Sequence, residues 1–317
     1  MTELRRVSTA AAAALALAAV LAGCGPVPES SFPDLSDRGT IRVVTTVGMI
    51  ADAVERVGGD RVEVEGLMGP GIDPHLYKAS EGDVRRLERA DAIFYGGLHL
   101  EAKMADVLER IGERRLTRAV TDGIPRSRLI RVGCGQYDPH VWFDVDLWKG
   151  AVREVRDTLA TADPAHADGY RARAAAYLAE LDALDDEVRR KSRSVPPEAR
   201  VIVTAHDAFG YFGRAYGFEV VGLQGISTAS EAGARDVQRL ADLIASRRIP
   251  AIFVESSVSP RTIEAVQEAV RARGFAVEIG GSLFSDAMGS DGTPEGTYVG
   301  MVRHNADTIT RSLARQA

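Results

Sequence analysis

The sequence predicts an α/β protein of two lobes, each built on a mainly parallel sheet flanked by helices and joined by one long rigid helix. Short β-branched segments alternate with amphipathic segments from Thr40 onward, as expected for strands that return through helices. A charged, alanine-rich segment divides this pattern near the middle of the chain. The length of 317 residues also suits two domains of ordinary size once a leader is set aside.

The first residues predict an export signal. Arg5 and Arg6 precede an apolar segment, Ala10 to Leu21, and the sequence then reads Leu-Ala-Gly-Cys up to Cys24. Small residues before a cysteine are typical of a bacterial lipoprotein signal peptide. The alternative is a membrane helix, but the apolar segment is shorter than the roughly 20 residues needed to span a bilayer. We expect a signal peptide at residues 1–23 and lipid attachment at Cys24.

After processing, acyl chains on Cys24 would anchor the protein to the extracytoplasmic face of the bacterial cell membrane. Residues 24–38 are rich in Pro, Ser and Asp, which predicts a flexible tether. Cys134 is then the only other cysteine, so no intramolecular disulfide is expected. With 39 basic and 45 acidic residues and no basic cluster, nucleic acid is not an expected partner, and we expect a monomer.

Strands and helices are predicted in order along both lobes. In residues 39–163 the strands are Ile41 to Thr46, Val62 to Leu67, Ala92 to Tyr95 and, more weakly, Leu129 to Val132, with helices at Met49 to Val57 and Ser80 to Arg89. In residues 196–317 the strands are Arg200 to Thr204, Glu219 to Leu223, Ala251 to Glu255 and Phe275 to Ile279, with helices at Ala234 to Arg247, Pro260 to Arg273 and Tyr298 to Arg315.

Residues 164–195 are predicted to form the single helix that links the lobes. Good helix formers fill the segment, and no proline interrupts it between Pro164 and Pro196. The residue before a proline is pushed out of the helical region, so the helix should end at Val195. A stiff helix restricts lobe rotation more than a loop would.

Four polar side chains follow predicted strands, where open α/β sheets place their ligands. His75 and His140 each end an Asp-Pro-His sequence, His206 follows the strand that begins at Arg200, and Asp286 follows the last strand. Three imidazoles and one carboxylate suit zinc-like ions and also accept manganese. Two ligands from each lobe would place one divalent ion in the cleft between the lobes.

These motifs resemble a known family, the zinc/manganese solute-binding lipoproteins of ABC importers. The resemblance runs from about Ile41 to the C-terminus. The matching motifs are Asp73 to His75, Asp138 to Trp142, Thr204 to Phe212, Gly222 to Thr228, Phe253 to Ser257 and Ser282 to Asp286.

The resemblance implies two similar α/β lobes bridged by a long helix, and a function in capturing zinc or manganese for an ABC permease and its ATPase. It assigns His75, His140, His206 and Asp286 as the metal ligands. A histidine at 206, where many manganese receptors carry Glu, favours zinc, whereas the missing His-rich loop of dedicated zinc receptors argues the other way. We expect a site that accepts both ions.

Other polar residues are assigned lesser roles. Glu255, Asp73 and Asp138 are expected to orient imidazoles, although Glu255 could be a fifth ligand. His99 is expected to be solvated, and Trp142 to pack in the core. His166, His304 and Cys134 receive no role.

Two functions of other classes remain open at the level of sequence. A zinc metallohydrolase would need an open coordination position, and the chain has no His-Glu-x-x-His motif. A surface adhesin or metal chaperone without a transporter is the second alternative. We expect no enzyme activity.

Overall fold

A parallel sheet organises the first half of the chain. In the computed structural model, which describes residues 33–133 and 135–314, its strands are β1 (Ile41–Thr45), β2 (Val62–Gly66), β3 (Ala92–Tyr95) and β4 (Leu116–Ala119). They lie in the order β2, β1, β3, β4, and each neighbouring pair is parallel. The central strands β1 and β3 are mostly buried, as apolar strands inside a parallel sheet should be.

The sequence prediction was wrong about the fourth strand of this sheet. The segment Leu129 to Val132 contributes only β5 (Arg131–Val132), which pairs in antiparallel fashion with β6 (Gln136–Tyr137). The fourth strand is β4 instead, which was missed because its sequence Leu-Thr-Arg-Ala lacks a β-branched apolar run. His140 therefore follows a short hairpin rather than a strand of the parallel sheet.

Helices of the first half are α1 (Gly48–Gly58), α2 (Glu81–Arg89), α3 (Ala105–Gly112) and α4 (Val145–Ala162). Ser80, the first residue of the predicted helix, caps α2, since its side chain accepts from the Asp83 amide in a capping box. Helices α3 and α4 were not predicted from the sequence. A signal for α4 exists in Asp144, whose carboxylate caps the helix by accepting from the Leu147 amide.

The long central helix is α5 (Ala167–Arg193). A 3-10 turn, Pro164–His166, precedes it, so the α-helical part is shorter at its start than predicted. The helix packs against α1 and α4, and it buries one row of side chains against them. The buried residues include Tyr170, Tyr177, Leu181, Leu184 and Val188.

The second half contains two parallel strand pairs with helices around them. The strands are β7 (Val201–His206), β8 (Glu219–Gln224), β9 (Ala251–Glu255) and β10 (Glu278–Leu283). The helices are α6 (Gly210–Tyr216), α7 (Ala234–Arg247), α8 (Arg261–Arg271) and α9 (Tyr298–Ala314). Strand β7 pairs with β8 and β9 with β10, and β7 also packs beside β9. The sequence analysis missed α6.

The last strand lies further along the chain than the predicted Phe275 to Ile279. The predicted strand stops before Gly280 and Gly281, but β10 continues through both glycines with a register shift between Ile279 and Gly281. A Cβ atom at Gly280 would lie 2.8 Å from the Phe253 ring and 2.9 Å from Ser312. Glycine is needed there because neighbouring side chains approach the backbone closely.

Residues from Asp34 onward form one compact unit. Leu35 is buried, and its amide donates to the Ala162 carbonyl, so ordered structure begins before residue 39. The predicted signal peptide, most of the tether, Cys24 and Cys134 lie outside the described residues. Within residues 33–133 and 135–314, no helix combines the length and apolar character needed to cross a membrane.

Candidate metal centre

The two Asp-Pro-His sequences fold into similar turns. Asp73 Oδ1 accepts from the His75 amide at 2.8 Å, and Asp138 Oδ1 accepts from the His140 amide at 2.9 Å. In each turn the aspartate bonds the backbone two residues later, and proline fixes the residue between. The turns differ in their rings, because Asp138 Oδ1 also contacts His140 Nδ1 at 2.7 Å whereas no such contact joins Asp73 to the His75 ring.

His206 is the last residue of β7, and Glu255 is the last residue of the adjacent strand β9. Glu255 Oε1 accepts from the His206 amide at 2.9 Å, and Oε2 lies 2.5 Å from His206 Nδ1. Both side chains are buried. The carboxylate therefore lies on the Nδ1 side of the ring and directs Nε2 away from β9.

The four predicted ligands converge at one point. One ligating atom from each of His75, His140, His206 and Asp286 lies within 4.8 Å of the others. The Nε2 atoms of His75 and His140 are 3.3 Å apart. The Asp286 carboxylate lies 3.3 Å from His140 Nε2, 3.2 Å from His206 Nε2 and 3.6 Å from His75 Nε2.

These four separations lie between 3.2 and 3.6 Å, close to the spacing of donors around one tetrahedral ion. Donors about 2.0 Å from a zinc ion at tetrahedral angles lie about 3.3 Å from one another. Three of the group's buried polar atoms, His206 Nε2 and both Asp286 oxygens, make no hydrogen bond within the described residues. Buried polar atoms are normally paired, and a cation at the centre would satisfy His206 Nε2 and an Asp286 oxygen. The group can therefore hold one divalent metal ion.

The electrostatics of the group separate His75 from the other two imidazoles. Burial lowers the pKa of His75 to about 4. Burial also acts to lower the pKa of His140, but the carboxylates of Asp138 and Asp286 outweigh it and raise that pKa to about 9. The pKa of His206 is raised well above its usual value against the same burial effect, by Asp286 and then Glu255.

Asp286 is the negative centre of the group. Burial acts to raise its pKa, yet the charges of His206 and His140 hold that pKa well below its usual value. The carboxylate is thus ionised while fully buried, which requires a neighbouring positive charge. In this chain the charge comes from protonated imidazole or from a metal ion in its place.

Trp142 belongs to the surroundings of the site, although the sequence suggested only core packing. It is 1% exposed, so the packing prediction is confirmed. Its ring also meets that of His140 edge-on at 5.3 Å, and Nε1 donates to the Ser285 carbonyl at 3.1 Å, next to Asp286. Tyr298 donates to the Trp142 carbonyl at 2.7 Å. Only the adjacency of Trp142 to the Asp-Pro-His motif could have indicated this role.

The remaining histidines lie outside the four-residue group. His99 is exposed, as predicted, and adopts a left-handed backbone with φ of 67°. His166 Nδ1 contacts Asp163 at 2.8 Å, and His304 Nε2 contacts the Ser282 carbonyl at 3.0 Å.

A family model described as zinc-uptake complex component A, periplasmic, matches residues 43–312. The chain belongs to this family. The resemblance inferred from the motifs and the predicted α/β fold class are both confirmed by this match and by the solved structures most similar to the chain.

Known proteins whose names are tied to different metals are similar to this chain. Zinc-binding protein TroA of Treponema pallidum is 56% identical over 282 residues, 89% of this chain and 92% of that protein. Its solved structure superposes with a TM-score of 0.86 at 56% identity, covering 87% of this chain and 100% of that one. Manganese-binding lipoprotein MntA of Bacillus subtilis is 50% identical over 303 residues, 95% of this chain and 98% of that protein.

A less similar protein carries the name of a transporter component. The metal ABC transporter substrate-binding lipoprotein FimA of Streptococcus parasanguinis is 29% identical over 285 residues, 87% of this chain and 90% of that protein.

Proposed function

We propose that this protein captures a divalent metal ion, zinc or manganese, outside the cytoplasm and delivers it to an ABC importer. The observation that carries the proposal is the buried group of three imidazoles and one carboxylate at tetrahedral separations. We assign His75, His140, His206 and Asp286 as the ligands. A metal bound there is the cargo of transport.

The choice between the two ions follows from the donors. Three nitrogen donors favour zinc over manganese in intrinsic affinity, according to the Irving–Williams order. One carboxylate with both oxygens turned to the centre adds the hard ligand that manganese accepts. TroA is named for zinc binding and MntA for manganese binding. We therefore propose a site that binds both, with zinc held more tightly.

The burial of the ligands argues against catalysis. His140, His206 and Asp286 are 0% exposed and His75 is 2% exposed. A catalytic zinc keeps an open position for water or substrate, whereas four protein donors complete a tetrahedral site. We propose a transport component without hydrolase activity, and no observation favours an adhesin or a chaperone that acts without a transporter.

We further propose the placement of the protein in the cell. It acts as a monomer on the extracytoplasmic face of the bacterial membrane, anchored by acyl chains on Cys24, and docks on a permease coupled to an ATPase. The support is the sequence Leu-Ala-Gly-Cys before residue 25 and the lipoprotein names of MntA and FimA.

Two of the proposed ligands precede the central helix α5 in the sequence, and two follow it. We propose that residues 39–163 and 196–317 act as two lobes, with residues 164–195 as the link, and that metal draws His75 and His140 toward His206 and Asp286. Because α5 packs against α1 and α4 of the first lobe and against α9 of the second, this motion should be small.

Calorimetric titration of the metal-free protein with zinc and with manganese tests the proposal. We expect one ion per chain, tighter binding of zinc, and a sharp loss of affinity in His206→Ala. His166→Ala is the matched control, because it also removes an imidazole but lies outside the group. Unchanged binding in His206→Ala would contradict the ligand assignment.

A further inference from the structure

The turn that carries His75 is hydrogen-bonded to a loop of the second half. Asp73 Oδ2 accepts from Thr228 Oγ1 at 2.6 Å, across 155 residues of sequence. The other oxygen of the same carboxylate accepts from the His75 amide. Thr228 is only 7% exposed, so water competes little for this bond. One side chain therefore connects a candidate ligand of the first half to the loop after β8 in the second.

His75 is held differently from the other two imidazoles. The rings of His140 and His206 each have a carboxylate at Nδ1, from Asp138 and Glu255. Within the described residues, the only ion pair of His75 is with Asp286 on the metal-facing side. The position of the His75 ring thus depends on its backbone turn, and that turn depends on Asp73.

His75 also lies at the edge of a cavity. A cavity of about 320 Å³ borders His75, and its lining also includes Leu98, His99, Pro139, Ile226 and Ser227. The last two residues belong to the loop that carries Thr228, so this loop forms part of the cavity wall. His75 is thus the candidate ligand that both borders the cavity and lacks a carboxylate at its ring.

We propose that Thr228 is a positioning residue that slows metal release. This inference rests on the proposed metal-capture function. Through Asp73, Thr228 holds the His75 turn against the loop after β8, and the ion leaves on the His75 side when that hydrogen bond opens. The family motif Gly222 to Thr228, which had no role in the ligand set, supplies this contact.

Release kinetics of the full chain loaded with zinc test the proposal. Zinc release into excess chelator is followed by stopped flow, and zinc association is measured separately. Thr228→Val keeps the shape but removes the donor. Because a hydrogen bond to a carboxylate is worth more than a neutral one, we expect release about tenfold faster, with association changed less than about twofold.

Two variants separate positioning from general disturbance. Thr228→Ser restores the hydroxyl and should release zinc at the rate of the unsubstituted protein. Ser227→Ala alters the same cavity wall but removes only a local bond to the Ala229 amide, and it should also leave the rate unchanged. If Thr228→Val does not fold, as judged by thermal unfolding of the metal-free protein, Thr228→Ala provides the same loss of the hydroxyl.

The outcomes separate this inference from the proposed function. An unsubstituted protein that binds no zinc would overturn the proposed function. A protein that binds zinc, but in which the folded variant without the hydroxyl releases it at the unsubstituted rate, would overturn only the role of Thr228. Equal acceleration by Ser227→Ala would overturn it as well.

Discussion

Glu255 contacts His206 through both of its carboxylate oxygens. Oε1 accepts from the backbone amide at 2.9 Å, and Oε2 lies 2.5 Å from Nδ1 of the ring. One buried side chain thereby fixes the end of β7 and the orientation of the imidazole. Outer partners of this kind set the ring orientation and basicity of a metal-binding histidine.

Glu255→Gln should weaken zinc binding by about 10- to 100-fold while the protein stays folded. The neutral amide is a weaker acceptor for Nδ1–H and so makes Nε2 a weaker donor to the metal, and its NH₂ group would face either the backbone N–H or the ring N–H of His206, both of which are donors. Competition with a fluorescent chelator measures the affinity. Glu219→Gln removes a carboxylate that pairs with Arg247 on the surface and is the control. Equal affinities in the two variants would show that Glu255 does not act through His206.

Metal affinity should fall as the solution becomes more acidic. The pKa of His140 is raised to about 9 by Asp138 and Asp286 against the effect of burial. In the metal-free protein this ring is therefore a positively charged imidazolium at neutral pH, with a proton on each nitrogen. A metal ion must displace that proton to bind Nε2. Lower pH favours the imidazolium form of His140 and therefore weakens metal binding.

The apparent zinc affinity, measured from about pH 8 down to about pH 5.5, should decrease throughout this range, and zinc binding near neutral pH should release protons into a weakly buffered solution. Calorimetry in buffers of different ionisation enthalpy measures the released protons. Binding without proton release, or with an affinity independent of pH, would be inconsistent with the charge distribution of the site.

A buried cluster at the start of the central helix should stabilise the fold. Asp163 is 0% exposed and accepts from Arg61 Nε at 2.8 Å and from the Tyr170 hydroxyl at 2.6 Å. Burial acts to raise the pKa of Asp163, but hydrogen bonds from Arg61, Tyr170 and His166 lower it to about 2. We expect Asp163→Asn to reduce the free energy of unfolding by about 3 kcal/mol near neutral pH, because it breaks a buried ion pair.

The sign of the pH dependence follows from the depressed pKa. The ionised Asp163 carboxylate stabilises the fold fully at pH values above 3.8, the ordinary pKa of an aspartate. This stabilisation is lost as the pH falls through about 2, the pKa of Asp163 in the folded protein. Urea unfolding of both proteins should therefore show a difference that shrinks below about pH 4. Asp168→Asn, on an exposed carboxylate of the same helix, should show no such difference. If the difference in free energy of unfolding between the two proteins stayed the same in acid, the ion pair could not be its cause.

Metal should change the shape of the protein only slightly. Helix α5 packs against α1 and α4 of the first proposed lobe and against α9 of the second, which restricts rotation between them. Small-angle scattering with and without zinc should give nearly the same radius of gyration. A large hinge rotation between the two states would contradict the restriction by α5.

The sequence was sufficient to predict the four converging residues because each belongs to a local motif. Asp-Pro-His makes its own turn, and His206 ends a strand of strongly apolar residues. Among the elements that were missed, β4 and α4 have mixed sequences whose structure depends on packing with distant segments.

The contacts around the site could not be predicted because they join distant parts of the chain. Thr228 meets Asp73 across 155 residues, and Trp142 meets Ser285 across 143. No local pattern indicates which loop of the second half lies against which turn of the first. The role of Glu255 was easier to anticipate, since it ends a strand at the same edge as His206.

Anomalous diffraction from crystals grown with zinc, measured at the zinc absorption edge, tests the central claim most directly. The account predicts one strong peak per chain within about 2.0 to 2.2 Å of His75 Nε2, His140 Nε2, His206 Nε2 and an Asp286 oxygen. A peak elsewhere on the protein, or none between these four side chains, would contradict it.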